Sequence, residues 1–425
     1  MSASKRVKGM YDIVPAEVSR WHWVERTALD LLDGYGYAEL RLPILEQVSL
    51  FARAMGSTTD VVAKEMYAFE DRNGDHLALR PEGTAGTVRA AIQNGLLQGH
   101  VTRLWYSGPM FRRENVQRGR NRQFYQIGAE AFGQSGPDID AEQIAMLARL
   151  WRALGLSDVR LEINSLGTPE SRTAYRATLV AYLEQHRSAL DEDSLRRLEV
   201  NPLRILDSKN PALADVIAGA PSLLASLDEE SRVHLDGVRA VLDALAIPYT
   251  VNPRLVRGLD YYSRTVFEWI TDQLGAQGTI CAGGRYDGLV EAQGGKPTPG
   301  IGFAMGVDRI VELTRVQGLE PPAAAPDVYL VLAGDQAQRS GVALAERLRN
   351  ALPTIHLECN FGGGSFKAQF KRADRSGARL ALVVGDDELA ADRLTVKFLR
   401  DDREQTTLPF DEIVTLLANS VGSPI

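Results

Sequence analysis

Residues 257–268 read RGLDYYSRTVFE. An arginine, an aspartate and two adjacent tyrosines surround a glycine that lets the backbone turn, and an alternating strand follows. Such a cluster can hold a small polar ligand and set a fixed cation beside a phosphate, because a guanidinium is always charged and grips phosphate oxygens in pairs. A second set lies in RLWYSGPMFRRENVQRGRNRQFYQIGAEAF at 103–132. It reads as two antiparallel strands joined by a long loop, with five arginines against one glutamate at 112–122. Side chains alternate along a strand, so Phe124, Gln126 and Glu130 share one face. Tyr125, Ile127, Ala129 and Ala131 share the other, which faces the core. On the first strand Arg112 and Glu114 share a face. Together the polar faces form a pocket floor with an aromatic ring, an arginine, an amide and two carboxylates. Burying that many polar groups without a ligand or partners is costly.

Other segments must position these groups. GIGFAMGVDRIVELTR at 300–315 reads as a glycine-rich strand entering an amphipathic helix. Arg309 falls in the first turn, where the helix dipole disfavours a cation, so a function or a local acid must offset it. LRPEGTAGTVRA at 79–90 reads as a turn opening a helix, and GGRYDG at 283–288 supplies Tyr286. Near the start, Trp21, Val24, Ala28 and Leu31 have helical spacing over 17–33, with Gly34 as the C-cap. GYAELRLPILE at 36–46 reads as one strand, with Pro43 at an edge or bulge. Residues 168–248 hold only two of the chain's 38 glycines and read as a mostly helical insertion.

PPAAAP at 321–326 is a stiff linker. Beyond it the strands 327–333, 355–359 and 379–385 alternate with helices near 336–350 and 365–376, predicting a separate α/β domain with a largely parallel sheet. In that domain Lys367, Lys371, Arg375 and Arg379 recur every four residues, with Phe366, Phe370 and Ala373 on the buried side. A basic helix beside GGGS can track a phosphate backbone; spacing alone fits a solvated amphipathic helix equally well.

At 425 residues and 46.6 kDa the chain accommodates two or three domains with real cores. A net charge of −7 argues against a general nucleic-acid binder, but not against local basic surfaces. No apolar run approaches the roughly 18–20 residues that span a bilayer, and no secretion signal precedes the chain's body. Two cysteines, Cys281 and Cys359, make no disulfide framework and no metal spacing, and a reducing cytoplasm fits best. The six histidines form no ligand pattern and read as structural or surface residues.

The ordered set of segments resembles the class II aminoacyl-tRNA synthetase family, and RGLDYY resembles the histidine-binding signature of histidyl-tRNA synthetases. The resemblance covers nearly the whole chain. It implies an α+β catalytic domain over 1–325, built on a mainly antiparallel sheet with flanking helices. It places motif 1 near 17–46, motif 2 at 103–132, motif 3 at 300–315 and a helical insertion at about 168–248. An α/β anticodon-binding domain follows over 326–425. The implied reaction is activation of L-histidine by ATP with Mg²⁺, then transfer to tRNA(His), by a cytoplasmic homodimer without membrane contact. Motif 1 is the family's dimer interface.

The resemblance also implies roles. Arg112 binds the α-phosphate, Glu114 accepts from the adenine amino group and Phe124 stacks on the ring. Gln117, Arg118 and Arg120 face the tRNA acceptor end or the outer phosphates. Arg309 packs over adenine and reaches the γ-phosphate. Asp308 stands where the family usually has Glu. Glu82, with Gly83 and Thr84 in the amino-acid loop, binds the α-ammonium together with Gln126. Arg257 stabilises charge on the phosphoryl oxygens, where related synthetases place a metal ion. Lys367, Lys371 and Arg375 form the anticodon-domain basic face. No metal is assigned to protein side chains.

Glu130, Tyr261, Tyr262 and Tyr286 are the proposed selective groups. A neutral imidazole offers one donor and one acceptor, which a carboxylate and a phenol can satisfy together. Three other readings stay open on the sequence. They are a non-catalytic regulatory paralogue that binds histidine and controls a phosphoribosyltransferase, a sensor of uncharged tRNA, and an ATP-dependent ligase with another acceptor. Intact Arg112, Arg257 and Arg309 and the presence of 326–425 weigh against the first two.

Overall fold

The computed structural model describes residues 4–56, 59–99, 101–116, 119–206, 208, 210–256, 259, 261–275, 278–322 and 325–421. The chain forms two compact units, Met1–Pro321 and Pro322–Ile425.

The first unit is built on an eight-stranded sheet. Its strand order is Ala38–Glu39, Thr102–Phe111, Gln123–Phe132, Gly300–Gly306, Thr279–Arg285, Ser263–Ile270, Arg160–Ser165, Tyr249–Val251. The inner pairings are antiparallel, and only the two outermost are parallel. One face is covered by helices Pro15–Gly34, Pro137–Ala153, Glu229–Ala244 and Val307–Val316, which bury Trp21, Leu147, Val238 and Ile310 against Ile127, Phe267 and Phe303. The other face is half covered by helices Val48–Met55 and Thr84–Gln93 and by the helical stretch after residue 168. The site lies on that face.

Strand Gln123–Phe132 shows why. Ile127, Ala129 and Ala131 enter the helix-covered core, and Tyr125 packs against it. Alternation therefore turns Phe124, Gln126 and Glu130 to the opposite face. The first strand stops at Phe111, so Arg112 and Glu114 stand on the connecting loop rather than on a strand. Residues 36–46 also differ from the single strand expected. Ala38–Glu39 pair with Leu104 and Trp105, whereas Leu45–Gln47 join a separate three-stranded sheet with Tyr67–Glu70 and His76–Leu79. Pro43 lies between, where no ladder donor is needed.

Over 169–244 the helices Pro169–Gln185, Glu192–Val200 and Glu229–Ala244 each begin at a side-chain cap. Thr168 accepts from Ser171 N, Asp191 from Ser194 N and Asp228 from Ser231 N. The last of these helices packs in the main core through Leu235, Val238 and Leu242.

In the second unit the strand order is Leu357–Cys359, Val328–Ala333, Leu380–Gly385, Arg393–Phe398, Thr406–Pro409. The first three are parallel and the last two antiparallel, so the sheet is more mixed than expected. The connections at 386–392 and 399–405 are too short for a crossover of a dozen or more residues, which forces the return direction. Among the described residues no helix is long and apolar enough to cross a membrane.

Candidate active site

A cavity of about 1070 Å³ opens on the half-covered face. Glu82, Thr84, Arg112, Glu114, Arg120, Phe124, Gln126, Tyr261, Tyr262 and Arg309 all line it. Gly83, Glu130 and Tyr286 stand behind its wall. Lys367, Lys371 and Arg375 belong to the second unit and are exposed. Gln117, Arg118 and Arg257 lie outside the described residues.

One end of the cavity is a buried carboxylate system. Glu130 is fully buried, accepting from Thr84 Oγ1 at 2.7 Å and from the Tyr286 hydroxyl. Burial pushes its carboxyl up to about 8, and the hydrogen bonds from Tyr286 and Thr84 only partly offset this. Gly302 on the neighbouring strand makes room, since a Cβ there would overlap Glu130 Oε2. Glu82 is also buried and accepts from Thr84 N at 2.7 Å and Ala85 N at 3.0 Å, closing the first turn of helix Thr84–Gln93. Burial raises its pKa against those two backbone donors. Gly83 must lack a side chain, since a Cβ would overlap the Tyr106 ring. The Tyr261 ring lies tilted 4.7 Å from Tyr262 and edge-on at 5.7 Å from Tyr286. With the Tyr286 hydroxyl held by Glu130, Tyr261 and Tyr262 are the phenols that face the cavity. The Gln126 side-chain oxygen is buried without a partner among the described residues.

The other end is cationic and aromatic. Arg112 is anchored by its Nε to Pro81 O at 2.9 Å, and its guanidinium lies 5.5 Å over the Phe124 ring. Glu114 receives Arg120 at 2.8 Å. Arg309 has Nε and Nη2 buried with no partner among the described residues. Burial, then repulsion by Arg120, lowers it to about 10, so it stays charged at neutral pH. Glu114, Glu268 and Asp308 offset part of this cost, and the two unmet donors are left for a ligand.

Two groups escaped sequence reading. Glu268, the last residue of RGLDYYSRTVFE, lines the cavity and accepts from Thr279 Oγ1 at 2.9 Å. Its place between Phe267 and Trp269, two aromatic residues that both enter the core, was the available signal. Arg285 is the second. It is fully buried beside Tyr286 and donates to Asp140, to Gln134 O and Gly136 O at 2.9 Å each, and to Asp287 at 3.1 Å. His234 Nε2 completes the network 2.8 Å from Asp140. Burial alone would raise Asp140, but His234 and Arg285 hold it below the usual carboxylate range. Removing one member strands a buried charge, so Asp140→Ala should cost about 3–5 kcal/mol in urea unfolding. A loss below about 1 kcal/mol would contradict that.

In the second unit helix Phe366–Arg375 is docked by buried Gln369, which accepts from Leu332 N at 2.9 Å and donates to Leu332 O at 2.7 Å. Ala373 is buried as expected, but Phe366 is 52 % exposed. Gln369 takes the inner position because its amide satisfies the strand's two end groups, which a phenyl ring cannot. Among the described residues no group of three or more His, Cys, Asp or Glu side chains could hold a metal ion.

An antiparallel sheet bearing an acid–phenol end and an arginine–aromatic end within one cavity is the scaffold of a class II synthetase. Comparison with known proteins makes the identity narrower. Residues 9–310 match the family model for histidyl-tRNA synthetase, and residues 327–420 match the anticodon binding domain. The histidine–tRNA ligase of Halorhodospira halophila is 57% identical over 417 residues, covering 98% of both chains. That of Hydrogenovibrio crunogenus is 55% identical over 415 residues, covering 98% of this chain and 97% of its own. The crystal structure of apo S. aureus histidyl-tRNA synthetase superposes with a TM-score of 0.78 at 36% identity, covering 98% of this chain and all of that one. The chain belongs to the histidyl-tRNA synthetase family.

Proposed function

We propose that this enzyme carries out its family's reaction, aminoacylation of tRNA(His) with histidine, through histidyl-adenylate formed in the cavity on the first unit. The single observation that carries this is the pairing of an acid–phenol end and an arginine–aromatic end within one space. The histidine carboxylate attacks the α-phosphorus, pyrophosphate leaves, and the tRNA 3′ end then displaces AMP. The amino acid supplies the nucleophile, so no protein side chain needs to become covalently modified.

Glu82, Thr84 and Gln126 receive the α-ammonium, with Gly83 keeping the loop close to Tyr106. Glu130, supported by Tyr286, and the phenols Tyr261 and Tyr262 read the imidazole. Arg112 binds the α-phosphate, Phe124 stacks on adenine, Glu114 accepts from its amino group, and Arg309 meets the γ-phosphate. Arg120, with Gln117 and Arg118, serves the outer phosphates or the acceptor end. Arg257 stabilises the pentavalent phosphorus, an assignment that rests on the RGLDYY signature alone. Mg²⁺ comes with the nucleotide. Glu268 lines the same cavity and is suited to complete its oxygen shell, since Mg²⁺ is commonly bound by one or two carboxylates plus substrate phosphates.

Histidine-dependent ATP–pyrophosphate exchange, tested across all twenty amino acids and followed by charging of total tRNA, tests the reading. Exchange with histidine alone and charging of one isoacceptor group is the expected result. Exchange with another amino acid, or none, would overturn it.

The exposed basic groups Lys367, Lys371 and Arg375, beside exposed Phe361 and Phe366, suit a single strand with unstacked bases. Neutralising all three cations should reduce the slope of log affinity for tRNA against log salt by about two, at roughly 0.7 per phosphate contact. An unchanged slope would remove this face from the interface. Self-association is supported by Ile44, Leu45 and Phe69, which the small sheet leaves 44–46 % exposed. A cytoplasmic location follows from the proposed work in translation.

A further inference from the structure

Residues 4–14 precede the first helix and belong to no strand, yet they are tied to the nucleotide end of the cavity. Gly9 O accepts from Arg122 N at 2.7 Å and from Gln123 N at 3.2 Å. Gly9 has φ +82°, and a Cβ on it would meet Arg122 Cγ at 2.7 Å and Val116 Cγ2 at 2.9 Å. Only glycine lets the segment lie this close. Arg122 closes the loop in turn: its carbonyl accepts from Arg112 N at 2.9 Å, and its Nε reaches Glu114 O at 3.3 Å.

Two residues further on, the Tyr11 hydroxyl donates to Asp308 Oδ1, and Asp308 Oδ2 accepts from Tyr125 N at 2.7 Å. The second bond falls where the ladder runs out. Gln126 is the last residue of its strand to pair with Gly300–Gly306, at Gly306, and helix Val307–Val316 begins at the next position. The Asp308 carboxylate replaces the missing acceptor for Tyr125 N. An aromatic row backs it, with Tyr11 6.4 Å from Trp21 and Trp21 edge-on to Tyr125 at 5.3 Å. One carboxylate, 8 % exposed, therefore joins the N-terminal segment, the hairpin and the helix. Phe124 and Arg309, immediate chain neighbours of Tyr125 and Asp308, both line the cavity.

We propose that the Gly9–Tyr11 strap, fastened to Asp308, is a positioning device for the nucleotide end of the cavity. It sets the hairpin bearing Arg112, Glu114 and Phe124 before ATP arrives. The inference rests on reading the cavity as the adenylate site. It assigns the strap to ATP rather than to histidine, because Glu82, Thr84 and Tyr286 hang on other elements, and Glu130, further along the hairpin strand, is held by Thr84 and Tyr286 rather than by Gly9, Tyr11 or Asp308. It also accounts for the aspartate before Arg309, whose short side chain bridges a phenol and a strand amide.

The test uses the full chain with Tyr11→Phe, Asp308→Asn and the double variant, in histidine-dependent ATP–pyrophosphate exchange. Tyr11→Phe keeps the ring on Trp21 and removes only the bond to a carboxylate. KM for ATP should rise about tenfold, the size expected for one hydrogen bond to a charged group, while KM for histidine stays within about twofold. The double variant should be no worse than Asp308→Asn, since both changes break one link. Without nucleotide, amide exchange at Arg122, Gln123 and Tyr125 should speed up in Tyr11→Phe, and saturating ATP should restore protection. Parallel rises in both KM values, additive effects, or an unchanged ATP KM in folded Tyr11→Phe would overturn the strap while leaving the cavity reading intact. A wild-type protein with no exchange at all would overturn that reading and the strap's role with it.

Discussion

Arg309→Met should lower kcat/KM for ATP in histidine-dependent pyrophosphate exchange by about 10²–10³-fold, as expected for loss of one preorganised charge on the phosphates. The same variant should melt no lower than wild type without ligand. Both halves follow from one observation. Arg309 Nε and Nη2 are buried without a partner among the described residues, beside a repelling Arg120. A cation kept in that state costs stability in the empty protein. A triphosphate supplies what the fold withholds, so its arrival is favoured by the full value of the unmade bonds. Methionine fills similar volume without charge. If exchange were near normal, Arg309 would not touch the nucleotide. If the empty variant melted much lower, the guanidinium would have a structural partner instead.

Glu130→Gln should lower kcat/KM for histidine by about 10–10²-fold, the loss expected when an amide donor replaces one acceptor oxygen and leaves a buried polar group unpaired. KM for ATP should stay within a few fold. A change of equal size in both would deny Glu130 a selective role. Stability without ligand provides a separate check through pH. The Glu130 carboxyl has its ordinary value of 4.5 in the unfolded chain and about 8 in the fold. Between those values the folded state keeps a proton that the unfolded state releases, so stability declines as pH rises through this window. Glutamine does not titrate. From pH 5 to pH 9 the variant should therefore gain on wild type in urea unfolding, by more than about 1 kcal/mol. Parallel pH profiles would show that Glu130 is not held high by burial. Both predictions describe groups that weaken the empty fold and become favourable once substrate is bound.

How much of this was legible varies by residue. The faces of 124–131 could be read directly, because a strand repeats every two residues and Tyr125, Ile127, Ala129 and Ala131 make one face apolar or aromatic. The helix over Pro15–Gly34 and the strand-to-helix turn at Val307 were legible for the same kind of reason, an apolar period and a glycine run. Residues 36–46 were not. Their alternation fits one strand, and nothing local shows that Ala38–Glu39 and Leu45–Gln47 pair with different sheets. Phe366 misled because an aromatic ring reads as core, whereas an amide proved the better fit to a strand end. Glu268 was hidden at the end of RGLDYYSRTVFE, and Arg285 beside Tyr286, because a charged residue on a strand looks solvated until its neighbours are known.

Periodicity and charge, which are local properties, were enough to state two kinds of domain, and short motifs, through the family they resemble, implied a substrate class and a reaction. Which groups already have partners is a property of packing between elements far apart in sequence. Tyr286 is turned inward to Glu130 across 156 positions, and Tyr11 meets Asp308 across 297. Arg309 is left with two unmet donors among the described residues. No local pattern encodes such pairings, since hydrogen-bond satisfaction depends on which surfaces the folded core presses together.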